Sequence, residues 1–306
     1  MSVKPVLSRK IKDKAAGLGF DLCGIARVRP LEEHRQRIGK WLEKGYNADM
    51  TYMEGHFEKR IDPSLLVPGA SSLITVALNY YRAYNPPGNK PVFSRYALGK
   101  DYHKVLKDRL FLLLEYIKQE SAGVEGRVFV DTAPVLERAW ALEAGLGWIG
   151  RNSMLINRDK GSYIFLGVLV TNAPLAYDKP VPGDYCGSCR KCINACPTGA
   201  IMENRTINAN KCLSYLTIEN KGQIPEEYAN KAGRRIFGCD ICQEVCPWNK
   251  KVKETGMEEF EPLQEIIDYT TEQWGNITEE EFYSVFKDSA VLRAGYEGFM
   301  RNIKNG

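Results

Sequence analysis

Hydrophobic residues recur along the chain at two spacings, which separate helices from strands. Apolar residues three or four positions apart predict amphipathic helices over 3–19, 31–45 and 101–120. Two apolar runs rich in β-branched residues, SSLITVALNYY (71–81) and SYIFLGVLVTN (162–172), have the length of buried strands. Helices and strands are mixed in this way up to about residue 178.

Shorter elements fill the gaps between these segments. DLCGIARV (21–28) and RVFVDTAP (127–134) read as strands, and SMLI (153–156) as a further strand before the 162–172 run. VLERAWALEAG (135–145) reads as a helix with Pro134 at its first turn and Gly145 near its end. The order of elements predicts an α/β (α+β) domain.

A proline-rich segment, APLAYDKPVPGDY (173–185), marks a domain boundary. We predict an N-terminal α/β (α+β) domain over 1–178, a cysteine-rich domain over 179–253, and a short helical tail over 254–306. In the tail, Thr278 followed by Glu281 has the pattern of a capping box, which starts a helix.

Composition limits the class of protein. The 306 residues are 44% hydrophobic and 26% charged, as in globular proteins. No apolar run approaches the roughly 18–20 residues of a membrane span, and the N-terminus has no secretory pattern. We therefore expect a cytoplasmic protein without a membrane partner. In a reducing compartment, its nine cysteines favour metal binding or catalysis over disulfides.

The net charge of +4 conceals an asymmetry. Ten acidic residues and no basic ones lie between Glu254 and Glu281, so the rest of the chain carries about +14. This distribution favours an anionic partner that approaches one side of the molecule. Solvated surface with an acidic helical segment explains the charge equally simply, and both interpretations stay open.

Eight cysteines form two related motifs. The first, C-x-x-C-x-x-C-x-x-x-C-P, begins at Cys186, and a second copy that lacks its first cysteine ends at Cys246-Pro247. In bacterial ferredoxins the fourth cysteine of such a motif ligates the other cluster. We predict two [4Fe–4S] clusters, with Cys212 as the remaining ligand. The ligand sets are Cys186, Cys189, Cys192 and Cys246 for one cluster, and Cys196, Cys212, Cys239 and Cys242 for the other.

Other uses of these cysteines are less favoured. Two structural zinc sites would also use eight thiolates, but they usually consist of paired C-x-x-C motifs. Cys23, alone in an apolar strand, is expected to be a buried small hydrophobic residue. The motif GLGWIG (145–150) has the residue pattern of the dinucleotide-binding fingerprint but not its structural context. The fingerprint follows a strand and begins a helix, whereas here a helix precedes the motif and a strand follows it. We expect its glycines to end a helix and permit close backbone packing.

Six blocks of sequence together resemble the epoxyqueuosine reductase family, through about residue 250 and into the tail. They are RIDPSLLVPGASSLI, YALGKDYHKVL, VDTAPVLERAWALEAGLGWIGRNSMLI, YCGSCRKCINACPTGAI, KCLSYLTIENKG and GCDICQEVCPWN. The resemblance implies a cobalamin- and [4Fe–4S]-dependent enzyme, related to reductive dehalogenases. Its N-terminal domain would bind cobalamin. Such enzymes reduce epoxyqueuosine to queuosine in tRNA, the last step of queuosine biosynthesis.

The same resemblance implies particular site residues. Asp131 falls on the family's proton donor, a role for which we expect a pKa raised by burial beside the corrin; capping of the following helix is the structural alternative. Cobalamin is expected base-off, without a protein ligand on cobalt. The segments implied to contact the cofactor contribute Arg60, Ser94, Asp131, Arg151, Asn152, Ser153 and Ser214.

The implied partner is tRNA carrying epoxyqueuosine. Candidate phosphate-binding cations lie between and after the cysteine motifs: Lys221, Lys231, Arg234, Arg235, Lys250, Lys251 and Lys253. We also expect an external low-potential electron donor, such as a flavodoxin or a ferredoxin, and a monomer. The chain is expected to be a short form without the C-terminal helical repeats of many relatives.

Two other functions remain as alternatives. One is a corrinoid-dependent reductase of small molecules, similar to reductive dehalogenases. The other is a non-catalytic two-cluster electron-transfer protein, although a carrier does not need the 178 residues that precede the cysteines. Cobalamin content would separate the second alternative from both enzymes.

Overall fold

The computed structural model describes residues 3–305. The strands are β1 (Leu22–Arg27), β2 (Ser72–Asn79), β3 (Val92–Phe93), β4 (Gly126–Phe129), β5 (Trp148–Ile149), β6 (Leu155–Ile156), β7 (Ile164–Thr171) and β8 (Arg235–Phe237). The helices of the N-terminal half are α1 (Val3–Gly17), α2 (Glu32–Glu43), α3 (Phe57–Ile61), α4 (Tyr102–Glu120) and α5 (Glu137–Glu143). Those of the C-terminal half are α6 (Lys191–Ala195), α7 (Leu213–Ile218), α8 (Glu226–Ala232), α9 (Ile241–Glu244), α10 (Gln264–Asp268), α11 (Thr271–Gly275), α12 (Glu279–Val285) and α13 (Gly295–Asn305).

The main sheet has four strands in the order β1-β2-β7-β4, and every neighbouring pair is antiparallel. The predicted mixture of helices and strands is therefore confirmed, in its α+β form. Asp131 follows strand β4 as predicted. Reactive groups commonly lie at the strand ends of parallel sheets, but this sheet is antiparallel, so that rule does not explain the position of Asp131.

Both faces of the sheet are covered, which explains why its central strands are continuously apolar. Ile74, Val76 and Leu78 of β2 pack in the core under α1 and α4, whereas Leu73 and Ala77 join the core under α5. Strand β7 alternates in the same way. Two layers of helices thus enclose one antiparallel sheet.

Gly167 permits the close approach of α4 to β7. A Cβ atom at this position would lie 2.8 Å from Cδ1 of Leu110 and 3.2 Å from Cδ2 of Leu106. Such distances are too short for carbon atoms unless these leucine side chains or α4 itself move. The glycine therefore sets the spacing between the longest helix and the sheet.

The cysteine-rich segment is joined to the N-terminal half by a second, two-stranded sheet. Strand β3 pairs in parallel with β8, with Val92 opposite Arg235 and Phe93 opposite Phe237. Strand β8 immediately precedes Cys239, so this pairing ties the second cysteine motif to the first half of the chain.

The acidic tail packs over the same small sheet. Trp274, Phe282 and Phe299 of the tail share one buried core with Phe93 and Phe237. The predicted capping box is confirmed, because Glu281 N–H donates to the Thr278 hydroxyl and the Glu281 carboxylate accepts from Thr278 N–H. Packing contacts cross both predicted domain boundaries, which themselves remain predictions.

Most predicted elements agree with the structure to within a few residues. The main difference is α5, which begins at Glu137, because the chain from Asp131 to Leu136 forms a turn before the helix. Gly145 follows α5 at φ +75°, as expected of a residue that ends a helix. Among residues 3–305, no helix has both the length and the apolar character that crossing a membrane requires.

Candidate active site and metal centres

Four of the predicted ligands surround one cavity. Cys186, Cys189, Cys192 and Cys246 line a space of about 260 Å³, together with the ring of Trp248. The pKa of the Cys192 thiol is raised, first by burial and further by Cys186 and Cys246 beside it. The two motifs therefore converge here, with Cys246 of the second motif beside three cysteines of the first.

The other four cysteines form a second, more enclosed group. Burial raises the pKa of Cys242 well above its usual range, and the neighbouring Cys239 and Cys212 raise it further. Burial raises the pKa of Cys212, and Cys196 raises it further. The grouping matches the second predicted ligand set. Cys212 and Cys239 pack against a buried cluster that includes Leu213, and Ala48 and Met50 of the loop after α2 pack against the same cluster from the N-terminal half.

These groups of thiols suit iron–sulfur clusters in both chemistry and spacing. Within the described residues, no three His, Cys, Asp or Glu side chains are close enough to bind a single metal ion. Sulfurs around one zinc ion lie roughly 4 Å apart, because each Zn–S bond is about 2.3 Å. A cubane holds its thiolates on four separate irons and needs a wider arrangement. The four thiols around the first cavity provide this wider arrangement.

Asp131 lies in a strained turn between β4 and α5, beside His103 and Glu137, and we refer to the surface that these three residues form as the cleft. Its φ of +53° is in the left-handed region, which non-glycine residues rarely adopt. Its side chain is 60% exposed, although protein surrounds it on several sides. The backbone N–H of Asp131 donates to Oε1 of Glu137 at 2.6 Å, which fixes the turn on the start of α5. The side chain thus faces the open space of the cleft.

His103 links two carboxylates in this cleft. Its Nδ1 lies 2.6 Å from Oδ1 of Asp101, and its Nε2 lies 3.2 Å from Oδ2 of Asp131. Asp101 is also the N-cap of α4, so the helix start fixes the imidazole. Burial alone would lower the pKa of His103, but the two carboxylates raise it to about 9. His103 is therefore protonated at neutral pH.

Asp131 and Glu137 differ in the direction of their pKa shifts. Burial favours a raised pKa for Asp131, but the charge and hydrogen bond of His103 outweigh burial, and the pKa is lowered. The raised pKa at Asp131 was expected from burial beside the corrin, and it stays a prediction because the lowered pKa describes the protein alone. The raised carboxyl pKa belongs instead to Glu137, which burial and then the charge of Asp131 raise to about 8. Protons are held on His103 and Glu137, on either side of Asp131.

Arg60 is a predicted cofactor residue of the N-terminal half. It is buried on α3, with 9% of its surface exposed, and its Nη2 donates to the carbonyl of Tyr52 at 2.6 Å. Its Nε is buried without a hydrogen-bond partner in the described chain. Since buried donors are rarely left unpaired, this atom suits the amide or phosphate oxygens of a bound cofactor.

The other predicted cofactor residues lie beside the cysteines. Arg151 and Asn152 line the first cavity, and Nε of Arg151 is another buried donor without a partner in residues 3–305. The hydroxyls of Ser94 and Ser153 donate to Asp240 and to the Arg205 carbonyl, respectively, and Ser214 lies two residues after Cys212. These contacts connect the N-terminal half to the cysteine loops.

The predicted phosphate-binding cations fall into two groups. Lys231, Lys250, Lys251 and Lys253 are exposed. Arg234 donates to the carbonyls of Pro86 and Lys90, Arg235 to that of Ala232, and exposed Lys221 to those of Arg293 and Ala294. The second group thus stabilises local structure.

Comparison with known proteins identifies the family. The family model described as "Epoxyqueuosine reductase QueG, DUF1730" matches residues 60–132, and that of the "4Fe-4S double cluster binding domain" matches residues 185–249. The epoxyqueuosine reductase of Leadbetterella byssophila is 49% identical over 296 residues, which cover 97% of this chain and 97% of the relative. The chain belongs to the epoxyqueuosine reductases.

Further relatives support the assignment. The epoxyqueuosine reductase of Cyclobacterium marinum is 48% identical over 96% of this chain and 94% of its own length. A crystal structure of epoxyqueuosine reductase with an epoxyqueuosine-modified tRNA-Tyr stem loop superimposes with a TM-score of 0.92 at 34% identity, covering 98% of this chain and 80% of that one. The double-cluster domain favours two iron–sulfur clusters over the zinc alternative.

The dehalogenase alternative is supported only by a shared fold. The reductive dehalogenase NpRdhA is 18% identical, with a TM-score of 0.52, and this chain covers 38% of it. Epoxyqueuosine reductases match at far higher identity. The catalytic family also excludes a pure electron carrier as the best account of the N-terminal domain.

Sequence reasoning did not single out His103 and Glu137, which the structure places beside Asp131. Asp101-x-His103 matches only part of the D-x-H-x-x-G motif that supplies a histidine to cobalamin, because Leu106 stands where glycine belongs. The useful signal was the spacing itself: an aspartate N-cap two residues before a histidine brings its carboxylate to the ring. Glu137 gave no signal, because it reads as an ordinary first-turn glutamate of α5.

Proposed function

We propose that this protein reduces epoxyqueuosine to queuosine at the wobble position of tRNA. Its membership of the epoxyqueuosine reductases supports this, as does the relative solved with a modified tRNA stem loop. In this chain, the proposal rests on the position of Asp131 beside His103 and Glu137, both of which hold a proton at neutral pH. An enzyme that removes an epoxide oxygen needs such proton donors.

The balance of the reaction defines the cofactors. Loss of the epoxide oxygen as water consumes two electrons and two protons and leaves a carbon–carbon double bond. The two cysteine sets would each hold a [4Fe–4S] cluster, as the sequence predicts. Bound cobalamin supplies a low-potential cobalt centre that transfers electrons to carbon, which no side chain can do.

The residues of the cleft fit a base-off cobalamin without a protein ligand on cobalt. Both ring nitrogens of His103, the histidine in the cleft, already face carboxylates. The unpaired buried Nε atoms of Arg60 and Arg151 are suited to cofactor amide or phosphate oxygens. We assign Ser94, Asn152, Ser153 and Ser214 to the same cofactor-facing surface, where they connect to the cysteine loops.

Asp131 would deliver the proton to the departing oxygen. Because its own pKa is lowered, it is ionised at rest and must receive a proton from a neighbour before it donates one. His103, at 3.2 Å and with a pKa of about 9, is the direct source. Glu137, with a pKa of about 8, lies against the same turn as a second store. The pair accounts for both protons of the reaction.

The remaining proposals concern partners and organisation. The exposed Lys231, Lys250, Lys251 and Lys253, together with Lys221, Arg234 and Arg235, would form the basic surface for tRNA. An external low-potential donor, a flavodoxin or a ferredoxin, would reduce the clusters. We propose a cytoplasmic monomer with a cobalamin domain over 1–178, a two-cluster domain over 179–253 and a tail over 254–306.

Mass spectrometry of the tRNA tests the function. The anaerobically reconstituted protein, with cobalamin and a low-potential reductant, is incubated with tRNA that carries epoxyqueuosine. The modified nucleoside should lose the mass of one oxygen atom. Unchanged nucleoside mass, with both clusters and cobalamin loaded and reduced, would reject the proposal.

The donor role of Asp131 is tested in the same assay. Asp131→Asn retains the size of the side chain but cannot carry the proton, so turnover should fall by about 100-fold or more. Asp159→Asn, at an exposed loop position, is the matched control and should behave as wild type. Full turnover by Asp131→Asn would remove Asp131 from the mechanism.

A further inference from the structure

Tyr52 and Arg293 meet at the cleft, although they come from opposite ends of the chain. Tyr52 lies on the short turn Thr51–Met53 between α2 and α3, and 48% of its surface is exposed. Arg293 precedes α13, and its guanidinium lies 5.9 Å from the centroid of the Tyr52 ring. An exposed aromatic ring with a cation over its face is a surface that can bind a flat ligand.

Arg293 is held in a fixed orientation that leaves one edge available. Its Nε and Nη2 donate to the two carboxylate oxygens of Glu219, each at 2.8 Å. Lys221 donates to the backbone carbonyls of Arg293 and Ala294, which fixes the supporting segment. Nη1 has no hydrogen-bond partner among residues 3–305, and 57% of the side chain is exposed. This edge can donate to an anion.

The pair belongs to the cleft of Asp131. The Tyr52 carbonyl accepts the hydrogen bond from Arg60, the buried cofactor candidate. The pKa of Tyr52 is raised, mainly by burial, and Asp131 is among the charges that contribute. Asp131 also contributes to the raised pKa of Arg293, after the larger effect of Glu219. Tyr52 and Arg293 therefore border the space in which Asp131 acts.

We propose that Tyr52 and Arg293 bind the nucleotide next to the reacting nucleoside of tRNA. The inference rests on the proposed function, because it takes tRNA as the substrate. A nucleoside that reaches a buried reaction centre must leave its stack, and its neighbour then loses a stacking partner. The Tyr52 ring replaces that partner, and Nη1 of Arg293 binds the adjoining phosphate. Glu219 orients the guanidinium and does not contact the RNA.

Binding of an epoxyqueuosine-modified anticodon stem loop, measured by fluorescence anisotropy, tests this role. Tyr52→Ala removes the ring, and the dissociation constant should rise about tenfold or more. Tyr52→Phe keeps the stacking face and should restore most of the affinity. Because only the backbone of Tyr52 anchors Arg60, the fold is retained in both variants. Tyr283→Ala, an equally exposed tyrosine on α12, is the matched control.

The salt dependence of tRNA binding tests the phosphate contact of Arg293. Arg293→Gln should reduce the dependence of log affinity on log salt concentration by about 0.7, the value for one phosphate contact on a single strand. Arg29→Gln, which breaks a comparable exposed ion pair with Glu33 and Glu143, should leave the salt dependence unchanged. In turnover assays, both cleft variants should raise KM for tRNA more than they lower kcat.

The possible outcomes separate this inference from the proposed function. If wild type converts the tRNA but Tyr52→Ala binds as tightly as Tyr283→Ala, the nucleotide contact is wrong and the function stands. Weak binding by Tyr52→Phe as well as by Tyr52→Ala would also reject stacking. If Tyr52→Ala weakens binding while wild type converts no tRNA, the contact stands and the proposed function fails.

Discussion

His103 retains a proton because two carboxylates flank its ring. The sequence contains Asp101, His103 and Asp131 but not their distances, and the consequence for protonation follows only from the fold. The role of Asp131 could be inferred from family resemblance. Its lowered pKa could not, because that depends on a residue 28 positions earlier in the chain.

The alkaline limb of the pH–rate profile tests the role of His103. If protonated His103 recharges Asp131, wild-type turnover should decline near the Glu137 pKa of about 8 and show a further limb as pH rises through the His103 pKa of about 9. His103→Gln should lower kcat by about tenfold or more and remove that limb. His34→Gln, whose charged neighbours are Glu33, Arg37, Glu143 and Arg29, is the control. Retention of the further limb in His103→Gln would contradict the proton-source role.

Among the elements, α13 donates hydrogen bonds to the cysteine-rich segment. Arg301 donates to the carbonyls of Asn220, Gly222 and Leu216, and buried Asn302 donates to those of Thr217 and Ile236. The last helix therefore joins the segment after Cys212 to the strand before Cys239. The sequence indicated a helical tail, but not that it stabilises the second cysteine group, because no local pattern encodes these long-range hydrogen bonds.

Asn302→Ala tests this connection. Asn302 is 2% exposed, and its loss leaves two buried carbonyls unpaired, so the free energy of unfolding should fall by about 2–3 kcal/mol. Iron should also be lost faster to a chelator. Urea denaturation and iron release are measured beside Lys304→Ala, an exposed position on the same helix. Equal stability of the two variants would show that the amide has no anchoring role.

Two glycine substitutions test the packing of the main sheet. Gly167→Ala places a methyl group 2.8 Å from Leu110 and should lower the unfolding free energy by about 1–3 kcal/mol. Gly39→Ala, inside α2 with no atom within 4 Å of the added carbon, should raise it by about 1 kcal/mol because alanine is the better helix former. Opposite shifts in the urea midpoint are expected; a tolerated Gly167→Ala would mean that the leucine side chains or α4 can move away from β7.

For the whole molecule, the sequence predicted more about chemistry than about architecture. The spacing of the cysteines was sufficient to predict two groups of four, because the ferredoxin motif has few other uses. The antiparallel sheet order and the β3–β8 pairing were not predicted, because they join segments far apart in the chain. Tyr52 and Arg293 illustrate the same limit, since nothing in either local sequence indicates the other.

In the predicted ligand sets, each cysteine motif contributes one ligand to the cluster of the other motif, which gives a spectroscopic prediction. If the ligand sets are correct, Cys246→Ala should remove the same cluster as Cys186→Ala, and Cys196→Ala the same cluster as Cys239→Ala. Each variant should retain about four of the eight irons. Electron paramagnetic resonance and iron analysis distinguish the pairs; a Cys246→Ala spectrum that matches Cys239→Ala would mean that the motifs do not exchange ligands.

The convergence of Cys246 with Cys186 also bears on biogenesis. About 60 residues separate these two positions, and the set that contains Cys196 likewise needs Cys239 and Cys242. A nascent chain that has emerged from the ribosome only as far as α8 can therefore complete neither set of four thiolates. Iron–sulfur assembly factors must deliver their cargo after translation has passed both motifs, and a chain truncated between them should mature without iron.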